Sequence, residues 1–378
     1  MLQDLQNKKR KPKQFYMICG LVILLVAIGL MMVYSASHVW ALEHYQDAFF
    51  FVKRQAFFAC MGIVCMLFIA HLPYSFFKQY TYVILLACFI LLLLVLIPGI
   101  GLVRGGARSW IGIGIFSIQP AEFMKLGIIL FLASYFSRLK KTEQSFMRRF
   151  LLPLILVFIA FGLIMLQPDF GTAVVLVGTA MMIVFIAGAR WVYFLYFSFI
   201  GLFGIVFLII SAPYRLKRIT SFLNPWEDPL GDGFQIIQSL YAIGPGQLLG
   251  VGFGQSMQKY FYLPEPQTDF IFSIFAEEFG LIGAVCLLFV FFLLFKNSMN
   301  IALRASDPFA RYLVFGIITM ITIQVCMNIS VVIGLIPVTG ITLPFLSYGG
   351  SSLMLLLSSI GIVLNISFYE ERLHLDYN

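Results

Sequence analysis

The sequence predicts an all-α polytopic membrane protein, and three observations carry that prediction. Hydrophobic residues make up 61% of the 378 residues, charged residues only 11%, and the mean hydropathy is +0.96. A soluble domain of this length carries far more charge. The apolar residues also run continuously instead of alternating, and this pattern excludes a transmembrane β-barrel.

The number of spans follows from the length of the apolar runs, because a helix needs about 20 mostly apolar residues to cross a hydrocarbon core. Windows of that length predict about ten transmembrane helices. They are 16–36, 55–72, 80–100, 121–137, 150–167, 170–188, 191–213, 270–295, 309–334 and 343–368. We expect one membrane domain over 1–378, with short tails at 1–15 and 369–378 and a large loop at 214–269, between the seventh and eighth spans.

The formal net charge of +8 is concentrated in short stretches between spans. Five Lys or Arg residues lie in 8–13 and five more in 138–149. With ten spans both stretches fall on one side, which the positive-inside rule assigns to the cytoplasm. Both termini are then cytoplasmic, the loop 214–269 is extracytoplasmic, and no nucleic-acid partner is expected.

Asp269 ends the large loop where the eighth span begins, so a carboxylate lies at the membrane boundary. A charge there suggests catalysis, but Asp269 with Thr268 could equally cap the eighth helix, whose dipole favours an acid in the first turn, and both interpretations stay open. Glu277, eight positions later, falls on roughly the same helical face. A second acid there predicts a raised pKa for Asp269 or a shared cation site.

Glu122 and Lys125 are the charged residues of the fourth span, and their spacing of three places them on one helical face. Either the two residues form a structural ion pair, or Lys125 is directed at an anionic substrate and Glu122 tunes its charge. Upstream, Arg108 suits a phosphate, whereas Trp110 suits either the substrate or the headgroup layer. Asp169, in Gln-Pro-Asp-Phe-Gly-Thr, reads as a helix cap with a possible site role.

Five sequence motifs, which together span nearly the whole chain, resemble those of a known protein family. They are GGARSWIGIG with SIQPAEFMK, QPDFGT, RITSFLNPWEDPLGDGFQIIQSLYAIGPG, LPEPQTDFIFSIFAEEFG and GLIPVTGITLPFLSYGGSS. In this order they resemble the SEDS family, the shape, elongation, division and sporulation proteins. The motif wording is closer to the division and sporulation branches, FtsW and SpoVE, than to the elongation branch, RodA. Many members have His where this chain has Gln267, so no proton-carrying role is expected for that side chain.

The resemblance implies a peptidoglycan glycosyltransferase that polymerises lipid II outside the bacterial cytoplasmic membrane, at the division or sporulation septum. It implies a class B penicillin-binding protein, a transpeptidase, as partner, along with other divisome or sporulation membrane proteins. Undecaprenyl pyrophosphate would be the product released. The family's essential acid maps onto Asp269, its charged pair onto Glu122 and Lys125, and its turn acid onto Asp169.

The chemistry of such a transfer needs a base for the acceptor hydroxyl and positive charge for the leaving group. Asp269 is the expected base, and Lys125 and Arg108 are the expected pyrophosphate contacts. A divalent cation, Mg²⁺ or Mn²⁺, is the one cofactor to consider. Two alternatives remain: a lipid II flippase, since intramembrane charges also mark transport routes, and a noncatalytic scaffold for the transpeptidase.

Overall fold

A computed structural model describes residues 13–104, 106–113, 116–140, 143, 145–210, 220–231 and 233–377. Each of the ten predicted spans coincides with an apolar helix in this part of the chain. The helices are α1 (Lys13–Tyr45), α2 (Phe50–His71), α3 (Tyr74–Leu96), α4 (Pro120–Arg138), α5 (Leu152–Met165), α6 (Phe170–Ile186), α7 (Trp191–Ile210), α9 (Ile271–Arg304), α10 (Pro308–Val332) and α11 (Gly350–Tyr377). The basic residues in 8–12 lie outside the described residues.

Membrane-spanning capacity is clear for most of these helices. Among the described residues, eight of these helices are long and apolar enough to cross a bilayer. One of the eight is α5 together with the π-helical turn Met147–Leu151 that precedes it. The helix α6 is shorter, at 17 residues. The chain is therefore an all-α polytopic membrane protein, as predicted.

The helices α4, α10 and α11 form the centre of the bundle. In α4 and α11, 78% of the most apolar stretch is buried, against 28% in α2 and α3. Small residues allow the close packing, because a glycine lets a neighbouring helix approach. Gly316 of α10 packs against Ile129 of α4 and Ile183 of α6. Glu122 and Lys125 of α4 consequently lie in the protein interior and not toward lipid, whereas Arg138 at the end of the helix is exposed.

A three-stranded antiparallel sheet follows α3, where the sequence predicted only a loop. Its strands are β1 (Gly101–Arg104), β2 (Ala107–Ile113) and β3 (Phe116–Ile118), in the order β1-β2-β3. The strands are short, and their pairing depends on neighbouring segments more than on local sequence. The sheet packs against α3 and α4.

The large loop contains α8 (Phe234–Gly246), which packs on α9 and α10. Ser239 of α8 donates to the carbonyl of Val332 at 2.7 Å and lies 2.8 Å from the hydroxyl of Ser273. The segment after α8 then binds α9 through its backbone. The amide of Leu281 donates to the carbonyl of Gln247 at 2.8 Å.

That pairing is possible because α9 is broken at Gly280, where the prediction of 270–295 had one continuous span. Gly280 has φ of 65° and ψ of −167°. This backbone conformation is essentially restricted to glycine. A side chain there would also meet the backbone of Gly246, Leu248 and Gly250. The helix resumes and continues to Arg304, nine residues beyond the predicted end.

The last helix also differs from its prediction, 343–368. It begins at Gly350, because the preceding residues form turns, and its backbone stays helical to Tyr377 through the predicted tail at 369–378. At the end of the bundle that carries the α4–α5 loop, Arg149 is buried and donates to the carbonyls of Lys140 and Ala187. The α4–α5 and α6–α7 loops therefore lie on the same face.

Candidate active site

The backbone around Asp269 is held by side chains from two other parts of the bundle. Asn328 of α10 donates to the carbonyl of Asp269 at 2.7 Å and to that of Ile341, also at 2.7 Å. Ser347 donates to the carbonyl of Thr268 at 2.7 Å. The segment before α9 is thus fixed against α10 and the turns that precede α11.

The carboxylate of Asp269 has no such partner. The N-cap residue of α9 is Phe270, and no side chain caps that helix, so the interpretation of Asp269 as a cap is wrong. The carboxylate is partly exposed and makes no hydrogen bond or ion pair with the residues that the structure describes. Burial raises its pKa to about 6, with smaller contributions from the negative charges of Glu265 and Asp169.

Asp169 does cap a helix, as its motif predicted. One carboxylate oxygen accepts from the amide of Thr172 at 3.1 Å at the start of α6. The other accepts from the Gln119 side chain at 2.7 Å, just before α4. Burial raises the pKa of Asp169, and the hydrogen bonds from Thr172 lower it less. The cap therefore also connects α6 to the beginning of α4.

Glu122 and Lys125 form the predicted ion pair, with Lys125 Nζ 2.7 Å from Glu122 Oε1. Both residues are buried, at 5% and 2% exposure. Ser352 of α11 donates to the second oxygen of Glu122 at 3.1 Å. The pair links α4 to α11, and its charges act on Asp169: Glu122 raises the pKa of Asp169 and Lys125 lowers it.

These residues converge at one end of the bundle, and we refer to Glu122, Lys125, Asp169 and Asp269 as the Asp269 group. Gly171 of α6 packs against Thr339 and Ile341. A Cβ atom at Gly340 would lie 3.6 Å from Asp269 Oδ2. The segment 339–341 therefore lies between the start of α6 and Asp269.

Several buried polar atoms in this region have no hydrogen-bond partner. They include Gln267 Oε1, Asn328 Oδ1 and Thr339 Oγ1. Sequence reasoning missed Asn328 and Ser347 as site-forming residues, although a polar side chain inside an apolar helix was a usable signal for Asn328. Buried polar atoms without partners indicate a place where water or a ligand completes the hydrogen bonds.

Arg108 and Trp110 lie on β2, opposite Val103 and Leu102 of β1. The guanidinium of Arg108 makes no hydrogen bond or ion pair with any described residue, so its charge is free for a ligand. The strand packs against α4, the helix that carries Lys125. No described hydrogen bond or ion pair joins Arg108 to the Asp269 group. The two predicted phosphate contacts therefore lie on adjacent elements, and a shared site for them stays a prediction.

Glu277 is not among the charges that raise the pKa of Asp269, so that expectation is wrong, and a role for Glu277 in binding a cation or substrate stays a prediction. Glu277 is 1% exposed and accepts from the hydroxyl of Ser256 and from the amide of Met257 at 2.8 Å. Its neighbour Glu278 accepts from Lys259 at 3.5 Å and from Ser35 of α1. The charges that raise the pKa of Asp269 are instead Glu265 and Asp169.

We call Ser35, Ser256, Lys259, Glu277 and Glu278 the Glu278 group. It lies beside the break in α9, where the amides of Val251 and Gly252 donate to the carbonyls of Glu277 and Glu278 at 3.0 and 3.1 Å. Both acids therefore anchor the segment after α8 to α9. Helical periodicity missed this arrangement because a loop distant in sequence supplies the partners.

Known proteins resemble this chain over almost its full length. The model of the FtsW, RodA and SpoVE family, described as "Cell cycle protein", matches residues 15–372. Stage V sporulation protein E of Bacillus subtilis is 56% identical, over 96% of this chain and 99% of that protein. The probable peptidoglycan glycosyltransferase FtsW of Geobacter metallireducens is 43% identical, over 92% of this chain and 94% of that protein.

The fold is also similar to a solved structure, from work on the structural coordination of polymerization and crosslinking by a peptidoglycan synthase complex. That chain is 32% identical, with a TM-score of 0.76, and the match covers 93% of this chain and 97% of the other. The sequence motifs, the helix order and these matches agree. The chain belongs to the FtsW, RodA and SpoVE family of cell cycle proteins.

Proposed function

We propose that this protein is a peptidoglycan glycosyltransferase that polymerises lipid II on the extracytoplasmic face of the bacterial membrane, with Asp269 as general base. The observation that carries the proposal is the Asp269 carboxylate, which is unpaired, partly exposed and held on a fixed backbone. Its pKa of about 6 is suited to a base near neutral pH, because it is deprotonated there yet still basic.

The proposed reaction is a single displacement. The 4-hydroxyl of the acceptor sugar attacks the anomeric carbon of the donor, a new glycosidic bond forms, and the bond to the pyrophosphate breaks. The hydroxyl proton passes to Asp269, and undecaprenyl pyrophosphate leaves with the bonding electrons. One carboxylate suffices for this inverting step, because no covalent intermediate has to form.

The leaving pyrophosphate needs positive charge, which Lys125 and Arg108 would supply. Lys125 is buried beside Glu122, so the position of its charge is fixed before substrate binds. Arg108 has no described partner and can offer a bidentate contact to phosphate. Trp110, on the same strand, would contact the lipid-linked substrate at the membrane interface.

A divalent cation, Mg²⁺ or Mn²⁺, also fits the region. Among the described residues no group of three or more His, Cys, Asp or Glu could hold a metal ion. Mg²⁺, however, commonly binds through one or two carboxylates together with substrate phosphates. Asp169 and the unpartnered oxygens of Asn328 and Thr339 are suitable hard donors. A bound cation would neutralise charge on the pyrophosphate.

The proposed partner is a class B penicillin-binding protein, working with other membrane proteins of the division or sporulation septum. Two features support a partner outside the membrane. The relative of known structure comes from a peptidoglycan synthase complex. The large loop also exposes apolar side chains, including Leu230 at 88% and Leu249 at 78%, which a second protein could cover.

The test is lipid II polymerisation by the purified protein with its partner, comparing wild type with Asp269→Asn. Loss of a general base lowers such rates about 10²- to 10⁴-fold. We expect polymer from wild type only, with partner binding and thermal stability unchanged. Asp47→Asn is the matched control, because Asp47 is an acid in the short loop between α1 and α2, where it contacts Lys53 of α2.

Full activity of Asp269→Asn would exclude Asp269 as the base. If wild type with a verified partner also makes no polymer, the glycosyltransferase proposal fails, and lipid II transport in vesicles becomes the next assay. A scaffold role would instead predict that Asp269→Asn supports growth or sporulation as well as wild type does.

A further inference from the structure

A second site lies at the opposite end of the bundle from Asp269. The helix α9 starts beside Asp269 and ends at Arg304, and the part after Gly280 alone is about 36 Å long at 1.5 Å per residue. A cavity of about 730 Å³ opens there between the beginning of α1 and the ends of α9 and α11. Its lining includes Lys13, Asn297, Arg304, Ser367 and Glu370.

The charges of this cavity favour an anion. Neither Lys13 nor Arg304 makes an ion pair with any residue that the structure describes. The lining carboxylate, Glu370, already accepts from Ser306 at 3.0 Å. The chain that precedes Lys13 is itself strongly basic, with Lys8, Lys9, Arg10 and Lys11. Asp4 is the one acid before Lys13, so that segment has a net positive charge.

A buried hydroxyl provides independent evidence for a ligand. Ser367 of α11 is 4% exposed, lines the cavity, and its Oγ has no hydrogen-bond partner. An unsatisfied buried hydroxyl costs free energy, and an oxygen acceptor in the cavity would satisfy it. A phosphate oxygen is such an acceptor, and it is also the anion that Lys13 and Arg304 would attract.

The apolar lining indicates that the phosphate belongs to a lipid. Met17 lies one turn beyond Lys13 in α1, and Ile301 lies one turn before Arg304 in α9, so both are deeper in the bundle. Each cation is therefore at the level where the apolar helices end, with an apolar side chain below it. This order matches a phospholipid, which has its phosphate in the headgroup layer and its glycerol and acyl chains underneath.

We propose that this cavity binds the phosphate of an anionic phospholipid from the leaflet at the face that carries the N-terminus. Lys13 and Arg304 contact the phosphate, Ser367 donates to it, and Met17 and Ile301 contact the upper part of the acyl chains. A basic pocket between helices at a membrane surface is the kind of site that holds anionic headgroups. This site is separate from the proposed polymerisation reaction and does not depend on it.

The experiment measures thermal stabilisation of the purified full-length protein in detergent during titration with phosphatidylglycerol. Parallel titrations use phosphatidylcholine and inorganic phosphate. We expect saturable stabilisation by phosphatidylglycerol only. The double variant Lys13→Gln/Arg304→Gln should bind it more weakly, by roughly fivefold for each charge removed. Ser367→Ala should weaken binding by a smaller factor, because it removes one hydrogen bond and no charge.

The matched control is Lys296→Gln, which removes an exposed cation of α9 outside the cavity and should leave affinity unchanged. Equal phosphatidylglycerol affinity in the double variant and in wild type would overturn the proposal. Equal stabilisation by phosphatidylcholine would do so too, because acyl chains alone would then explain binding. Equal stabilisation by inorganic phosphate would assign the site to a free anion instead of a lipid.

Discussion

Two groups of charged side chains lie near the start of α9, and they differ in how their charges are compensated. In the Glu278 group, Glu277 accepts two hydrogen bonds, and Glu278 contacts Lys259, which is fully buried. In the Asp269 group, the carboxylate of Asp269 has no partner among the described residues and is partly exposed. The two carboxylates Asp269 and Glu277 are only eight residues apart in the chain.

The comparison separates two uses of a charged side chain in this part of the protein. A compensated charge holds segments together, here the segment after α8 against α9 and α1, and removing one partner leaves the other buried and unpaired. An uncompensated carboxylate contributes little to architecture, but it is free to accept a proton from a substrate. Proximity to the membrane boundary alone therefore does not identify a catalytic acid. The absence of a partner for its carboxylate is the distinguishing feature.

The largest expected effect on stability comes from Lys259→Met. This change leaves Glu278 buried without its cation, and breaking a buried pair in this way costs about 3–5 kcal/mol. Thermal unfolding in detergent should show a large loss of stability. The control is Lys53→Met, which breaks the exposed pair with Asp47 and should cost at most about 1 kcal/mol. A melting temperature like that of wild type for Lys259→Met would contradict the structural role of the Glu278 group.

Lys125 tests whether one charged residue can both stabilise the fold and take part in the reaction. Lys125→Met should lower stability, because Glu122 stays buried and unpaired, and should lower polymerisation about 100-fold if the cation stabilises the leaving pyrophosphate. The double variant Glu122→Gln/Lys125→Met removes both charges and should recover stability without recovering turnover. Recovery of both properties would make the pair purely structural, which is the alternative that the sequence left open.

A smaller effect is expected from Glu265→Gln. The pKa of Asp269, about 6, is raised partly by the negative charge of Glu265. Since the base must be deprotonated, polymerisation should rise with pH through about 6. Removing a nearby negative charge lowers the pKa of Asp269, so the acid limb of the pH-rate profile should move to lower pH by roughly half a unit. Asp47→Asn is the control, and an unchanged profile for Glu265→Gln would contradict the assignment of this limb to Asp269.

The Asp269 group was predictable where the signal was local. A spacing of three residues on a helix predicted that Glu122 and Lys125 would pair, and the Asp-Phe-Gly-Thr order predicted that Asp169 would cap α6. The site role of Asp269 was inferred from the resemblance and from the position of the residue at the membrane boundary. The interpretation of Asp269 as a cap failed because the chain places Phe270 at the N-cap position instead.

The errors came from contacts between distant segments. Glu277 shares a helical face with Asp269 only if the helix includes both residues, but α9 begins at Ile271. The partners of Glu277, Ser256 and Met257, belong to the preceding loop. Gly280 breaks the helix because backbone from 246–250 packs against it, and no local pattern carries that information. The sheet β1–β3 was missed for the same reason.

The sequence by itself determined the membrane setting, the positions of ten apolar helices and the family motifs, because hydrophobicity and short-range spacing are properties of contiguous residues. Only the tertiary structure decided which polar and charged groups have partners in distant segments. Asn328 and Ser347 reach across the bundle to fix the backbone at Thr268 and Asp269, and Lys259 neutralises Glu278. These contacts join residues from 19 to 79 positions apart, and such distances in the chain become short distances in space only once the helices have packed.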